Sequence, residues 1–271
     1  MKFFYRTLFI LFVLIKEVNA TISCVDVNSC LLLKEISPKG SSSEILIKKI
    51  KDPHHFHPSQ KQLKKMLKAS KLILAPLELS PWQRSVINKK ANQSKLIILS
   101  TKHSPIKANL EALSHFWLHP KLICFQKIAL ATQLKEKWQM KITPPSCDKE
   151  EIIQKHFEAL KEKFSNKKLV LTHNALEPLL KNVFGNVLAL KGSHHGENIT
   201  TKSIKELVTF KKESKEKKNL YWIIEEQIGI PRNVKNMLGK DDKVLYIKST
   251  LSQNDNIYTV LNTLLAKLRE I

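Results

Sequence analysis

Lys168-Leu169-Val170-Leu171-Thr172-His173 is a short apolar run that opens on a lysine and closes on a histidine. Just upstream, Ile153, Phe157, Leu160 and Phe164 recur at helical spacing. A helix that buries one stripe and then feeds a short buried strand is the repeating unit of an α/β sheet. The unit recurs in both directions. Toward the N-terminus the strand candidates are Ile22 to Val27, Glu44 to Ile50, Lys71 to Ala75 and Lys95 to Ser100. Toward the C-terminus Asn186 to Lys191, Asn219 to Glu225 and Lys243 to Lys248 follow the opening run. Each half thus has four strands, and the fold class is α/β with two four-stranded parallel-sheet lobes. Leu63, Met66 and Leu67 in the first half, Ile204, Leu207 and Val208 in the second, and Ile257, Val260, Leu261, Leu264, Leu265 and Leu268 at the end read as core-facing helix stripes.

Pro144-Pro145-Ser146-Cys147-Asp148 separates the halves. Asp148 is the expected N-cap of a helix running to about Phe164, with Glu150 and Glu151 favourably placed in its first turn. A long rigid helix here would join the lobes and limit how far they swing. The expected domains are a leader at 1–20, a first lobe at 21–147, a linker helix at 148–165 and a second lobe at 166–271. In the leader, Lys2 and Arg6 precede the apolar run Leu8 to Ile15 and then Val18-Asn19-Ala20, the order of a secretory signal. The chain is therefore expected to be exported. A lipid-anchored form through Cys24 is the alternative, although Thr21-Ile22-Ser23 lacks the Leu that usually stands three residues before such a cysteine. Ser41-Ser42-Ser43 and Lys211 to Lys218 read as flexible surface loops.

The formal charge is +22, yet lysine far outnumbers arginine, the lysines run the whole length and no aromatic-interleaved basic motif is present. These features argue against nucleic-acid binding and for a solvated, biased surface, with attraction to anionic membranes as a by-product. Cys24, Cys30, Cys124 and Cys147 allow three disulfide pairings, and no Cys-x-x-Cys pair marks a thiolate metal site or redox centre. Six glycines leave no phosphate-cradling loop, and no Gly-x-Ser-x-Gly elbow presents a nucleophile.

In open parallel sheets, ligands bind beyond the carboxyl ends of the strands. Lys51-Asp52-Pro53-His54-His55-Phe56-His57-Pro58 follows the second strand, Leu113-Ser114-His115-Phe116-Trp117-Leu118-His119-Pro120 lies beyond the fourth, and the opening run ends in His173-Asn174. Three histidine-bearing segments therefore converge on one edge. Neutral imidazole ligates Zn²⁺ at about 2.0–2.1 Å, and three such nitrogens leave one tetrahedral position open. Phe56, Phe116 and Trp117 could supply the apolar wall. His103, His156, His194 and His195 are read as surface or satisfied histidines.

Asp52-Pro53-His54-His55-Phe56-His57-Pro58 resembles the Asp-Pro-His-x-(aromatic)-x-Pro signature of the zinc and manganese substrate-binding proteins of ABC importers. Ser114-His115-Phe116-Trp117-Leu118-His119-Pro120 is similar to that family's Asp-Pro-His-x-Trp-Leu-Asp-Pro segment, and His173-Asn174-Ala175 to its His-Asp-Ala. Leu79-Ser80-Pro81-Trp82 and Tyr258 add supporting matches. The resemblance implies two α/β lobes joined by a rigid helix, a metal cleft between them, a periplasmic location and delivery of the ion to a membrane permease. Carried over residue by residue, the metal ligands are His54, His115 and His173. The family's manganese members often carry a carboxylate at the third position, so His173 points to Zn²⁺ as cargo ahead of Mn²⁺. A monomer is expected.

The family's acidic fourth ligand falls near Ser249, where no carboxylate stands; water, Glu225, Glu226 or Asp255 could complete the site. Two other readings stay open: a zinc hydrolase, which would need a general base not found at a recognisable spacing, and an adhesin or other interaction protein that kept the fold with altered metal binding.

Overall fold

The computed structural model describes residues 21–38, 41–50, 53–54, 56–108, 110–190, 199–213, 220–226 and 229–271. The leader, Asp52, His55, the His194-His195 pair and most of the expected loop at 211–218 lie outside them. Strands β1 (Ile22–Cys24), β2 (Ser43–Ile45), β3 (Lys71–Leu74) and β4 (Leu96–Ile98) form one sheet in the order β2-β1-β3-β4. Strands β5 (Lys168–Leu171), β6 (Asn186–Ala189), β7 (Leu220–Glu225) and β8 (Lys243–Ile247) form the other in the order β6-β5-β7-β8. Every pairing is parallel. The helices are α1 (Val27–Ile36), α2 (Gln60–Lys68), α3 (Arg84–Lys89), α4 (Leu110–Ser114), α5 (Pro120–Trp138), α6 (Asp148–Ala159), α7 (Lys161–Phe164), α8 (Glu177–Leu180), α9 (Thr201–Lys212), α10 (Arg232–Lys235) and α11 (Thr259–Glu270).

Local chemistry sets several of these boundaries. Asp26 accepts from Ser29 N at 2.8 Å and caps α1. Ser59 and Gln62 form a reciprocal capping box at the start of α2. At the other end of α2 the Lys90 ammonium donates to the carbonyls of Met66, Leu67 and Ala69 at 2.9–3.1 Å, satisfying groups the helix leaves open. Thr200 accepts from Ser203 N at 3.2 Å and opens α9.

Five expectations are corrected. Val27 belongs to α1 and not to the first strand, because the Asp26 cap starts a helix there. Ser43 opens β2, and Ser42 O accepts from Ile22 N at 3.1 Å, so the serine run is sheet-bound. Asp148 is the first residue of α6 and Cys147 is the cap; Asp148 N donates to Ser146 Oγ at 3.1 Å, while the acidic first turn still faces the positive helix end. The helix also breaks at Leu160, which divides α6 from α7, and Val208 is exposed and not core.

In each sheet the chain leaves its first strand in one direction and crosses back in the other. Right-handed crossovers then place α1 on one face of the first sheet and α2 with α3 on the opposite face. α1 packs on α5, and α2 packs on α3. One hydrophobic core runs through both halves: Leu72 and Leu74 of β3, Leu122 and Leu130 of α5, Phe157 of α6, Leu171 and Ile223 of the second sheet, and Leu261 and Leu264 of α11 are all buried in it. A smaller cluster, including Val170, Trp222 and Ile224, covers the other face of the second sheet beneath Leu207 and Phe210 of α9. Alternate residues of β5 and β7 thus serve different cores.

The junction of the halves is polar as well as apolar. Lys127 of α5 pairs with Glu150 of α6 at 2.9 Å, with side chains only 5% and 2% exposed. Lys127 also donates to Ser146 O at 2.7 Å, and the Tyr258 hydroxyl donates to the same Glu150 oxygen at 2.6 Å. Burial, followed by the hydrogen bond and charge of Glu150, pushes the Tyr258 phenol well above its ordinary value, so it stays a donor. Cys124 and Cys147 form a disulfide between α5 and the start of α6, while Cys24 and Cys30 are free and buried. Cys24 is fully buried in β1. Gly185 is required by close approach: a Cβ there would lie 1.6 Å from Ser165 O. Among the described residues no helix is long and apolar enough to cross a membrane.

Candidate metal centre

The second sheet builds its part of the site through register. Leu171 of β5 lies opposite Ile223 of β7, and Thr172 N continues the ladder to Ile223 O at 3.2 Å. Two residues further on the same face, His173 therefore stands beside Glu225. His173 Nδ1 and Glu225 Oε1 are 3.0 Å apart, and the residues are 7% and 3% exposed. Ser249, two residues beyond the end of β8, donates its hydroxyl to the other oxygen of Glu225. Burial alone would push the Glu225 carboxyl up. The charge and hydrogen bond of His173, the Ser249 hydroxyl and the nearby His115 outweigh that and hold it below its ordinary value. An imidazole whose Nδ1 faces a carboxylate is fixed in tautomer and orientation, which leaves Nε2 as the atom able to ligate.

The first half contributes His54, half-buried in the loop after β2, and His115, buried between α4 and the 3₁₀ turn Phe116–Leu118. The His54 and His115 ring centroids are 5.5 Å apart, and those of His115 and His173 are 5.1 Å apart. Three imidazoles expected to converge are therefore neighbours, with His115 in the middle. Among the described residues no three histidine, cysteine, aspartate or glutamate side chains are already drawn into an arrangement that would hold an ion. The rings are gathered, with interplanar angles of 47° and 80°.

Of the expected aromatic wall, Trp117 stands against His115 with centroids 5.3 Å apart, and Phe116 packs edge-on behind Trp117. Phe56 lies against Trp82. Trp117 Nε1 donates to Ser249 O at 2.9 Å, so a first-half indole is tied to the second-half loop that supports Glu225. Of the three carboxylates considered for the fourth position, Glu225 alone faces a candidate ligand. Glu226 is turned outward with its side chain 51% exposed and Lys267 4.0 Å away. Asp255 closes its own turn, accepting from Ser252 N at 2.6 Å with Lys248 at 3.8 Å.

His119 is a residue whose role sequence reasoning missed. It is 4% exposed, a ring N–H donates to the carbonyl of Pro178 in the other half, and its Nδ1 is buried without a hydrogen-bond partner. Burial first, and then the Lys121 charge, lower its pKa to about 4, against the bond to Pro178. His119 is therefore a neutral tether between the halves. The signal in the sequence was its place before Pro120, where the family motif it resembles has an aspartate.

Two parallel sheets sharing a core, with imidazoles from both converging beyond the strand ends, define the class of two-lobed α/β metal receptors. A family model described as "Zinc-uptake complex component A periplasmic" matches residues 29–271, and the chain belongs to this family of metal-binding receptors. A comparison with curated sequences found no match. Among solved structures, the periplasmic zinc-binding protein TroA from Treponema pallidum is similar with a TM-score of 0.67 at 14% identity, over 92% of this chain and 97% of that one. The laminin-binding protein Lmb of Streptococcus agalactiae, described as bifunctional with adhesin and metal-transporting activity, gives 0.65 at 18% identity over 92% and 99%. Zn(II)-bound AdcA from Streptococcus pneumoniae gives 0.63 at 16% identity, over 92% of this chain and 57% of AdcA. At these identities the structural likeness carries the fold.

Proposed function

We propose that this protein is an exported, monomeric receptor that captures Zn²⁺ with His54, His115 and His173 and hands it to the membrane permease of an ABC importer. The observation that carries the reading is the cluster of three imidazoles drawn from two lobes, with centroids 5.5 and 5.1 Å apart and the last held by a buried carboxylate. Imidazole donors suit zinc better than Mn²⁺, which prefers carboxylate and water oxygens. With Ser249 in place of an acidic ligand, Glu225 supplies the negative charge of the site from behind His173. The division into lobes at 21–147 and 166–271 about a linker at 148–165, a periplasmic location and the absence of catalysis belong to the same proposal.

Calorimetry on metal-stripped protein tests it. About one Zn²⁺ should bind per chain, Mn²⁺ should bind more weakly, and His54→Ala, His115→Ala and His173→Ala should each weaken zinc strongly. Unchanged affinity in all three variants would sink the ligand assignment. Hydrolysis of esters or peptides by the zinc-loaded protein, abolished by His173→Ala, would instead favour an enzyme.

A further inference from the structure

We propose that the layer built by α2 and α3 is a cationic surface that adsorbs the protein onto anionic lipid bilayers. Crossover handedness puts these two helices together on the face of the first sheet opposite α1, away from the shared helices α5, α6 and α11. Lys61, Lys64, Lys65 and Lys68 of α2 are all exposed, as are Arg84 and Lys89 of α3. From residue 56 to 108 there are eleven Lys or Arg against the single carboxylate of Glu78. The matching stretch of the second lobe, residues 199–247, carries eleven Lys or Arg against seven carboxylates. Residues 56–108 therefore carry a net +10 of the chain's +22, against +4 for residues 199–247.

The chemistry of this face selects among anionic partners. Five of the six exposed basic residues on these two helices are lysines, which are mobile point charges, while ordered recognition of individual phosphates favours the planar guanidinium. The apolar stripe of α2 is already spent on the lobe: Met66 is fully buried, and Leu63 and Leu67 pack against the core. The helix has nothing to insert, so it meets a bilayer as a layer of charge at the headgroups. Each lysine near an anionic leaflet raises partitioning by about fivefold, an effect that salt screens. α2 begins six residues after His54, so adsorption would hold the rim of the metal cleft near the membrane. That consequence rests on the receptor reading; the adsorption itself does not.

The test is vesicle co-sedimentation of the chain from Thr21 onward, without metal, using phosphatidylcholine vesicles with or without about one-third phosphatidylglycerol. Binding is expected only to the anionic vesicles at about 0.05 M salt and should vanish at about 0.5 M. Reversal of α2 (Lys61→Glu, Lys64→Glu, Lys65→Glu and Lys68→Glu together) should weaken partitioning at least about 100-fold. The same number of reversals on the other lobe (Lys202→Glu, Lys205→Glu, Lys212→Glu and Lys235→Glu) should change it less than about threefold, because that stretch, at a net +4 against +10, is not the surface that meets the bilayer. Thermal unfolding and zinc titration check each variant, and Lys→Gln at the four α2 positions replaces any reversal that fails to fold. No binding to anionic vesicles at low salt, equal losses from the two sets, binding that survives high salt, or binding to soluble heparin or DNA without binding to vesicles would each overturn the proposal. Zinc affinity unchanged in a variant that no longer binds vesicles separates this surface from the metal site.

Discussion

Glu225→Gln should weaken zinc binding about 10- to 100-fold while leaving the fold intact. The substitution keeps the shape of the side chain and removes only its charge. Two hydrogen bonds report on that charge, one with His173 Nδ1 at 3.0 Å and one from the Ser249 hydroxyl. A hydrogen bond to a charged group contributes about 1.5–3 kcal/mol and a neutral one about 0.5–1.5, so neutralising the acceptor costs about 1–1.5 kcal/mol per bond. For two bonds that is about 2–3 kcal/mol, close to the 1.4–2.7 kcal/mol that a 10- to 100-fold change represents. The loss falls mainly on binding, because a metal ion makes the imidazole more positive and strengthens its bond to the carboxylate. Without metal, stability should also fall slightly, since the folded Glu225 carboxyl lies below its ordinary value. That contribution is present above about pH 4.3 and is lost as pH falls through the lower folded value. Competition calorimetry against a chelator at neutral pH measures the effect. Zinc affinity within twofold of the parent would show that Glu225 does not support the site.

Lys127→Met should be among the most destabilising single changes, at about 3–5 kcal/mol by urea unfolding, because it strands the buried Glu150 carboxylate; Lys127→Met with Glu150→Leu should recover much of that loss. His119 makes stability fall as pH drops: the unfolded imidazole takes a proton near pH 6.5, while the folded one resists until about 4. Over that window the loss approaches about 3 kcal/mol for one group, and His119→Asn should flatten the slope in urea titrations between those pH values. Reducing the Cys124–Cys147 disulfide, which closes a loop of separation 23, should lower stability by about 3 kcal/mol, and a melting temperature indifferent to reductant would contradict it.

Eight strands, their parallel α/β arrangement and the three histidine segments at their ends were legible in the sequence because each is a local signal. An apolar run such as Leu169 to Leu171 or a stripe such as Leu261, Leu264 and Leu268 declares its burial by spacing alone. Strand ends were less legible: β2 closes at Ile45, backbone bonds to the first strand reach only as far as Ile47, and the apolar pattern continues to Ile50. The helix through Leu160 read as one element for the same reason, because a stripe stays in phase across a short break.

The charge of the site was beyond such reading. Ser249 looked like a missing ligand, and Glu225, Glu226 and Asp255 looked equally able to replace it. Only the register of β5 against β7, with β8 alongside, brings Glu225 to His173 and turns Ser249 into its supporting donor. The choice of Cys124 with Cys147, the Lys127–Glu150–Tyr258 cluster and the His119 tether likewise join residues from different elements. Sequence by itself determined which histidine segments follow the strands and on which edge of the sheets they sit, because periodicity and strand order act over a few residues. Tertiary structure decided which carboxylate stands behind them and how firmly the two lobes are held, because those depend on distances set by helices crossing and sheets packing across the whole chain.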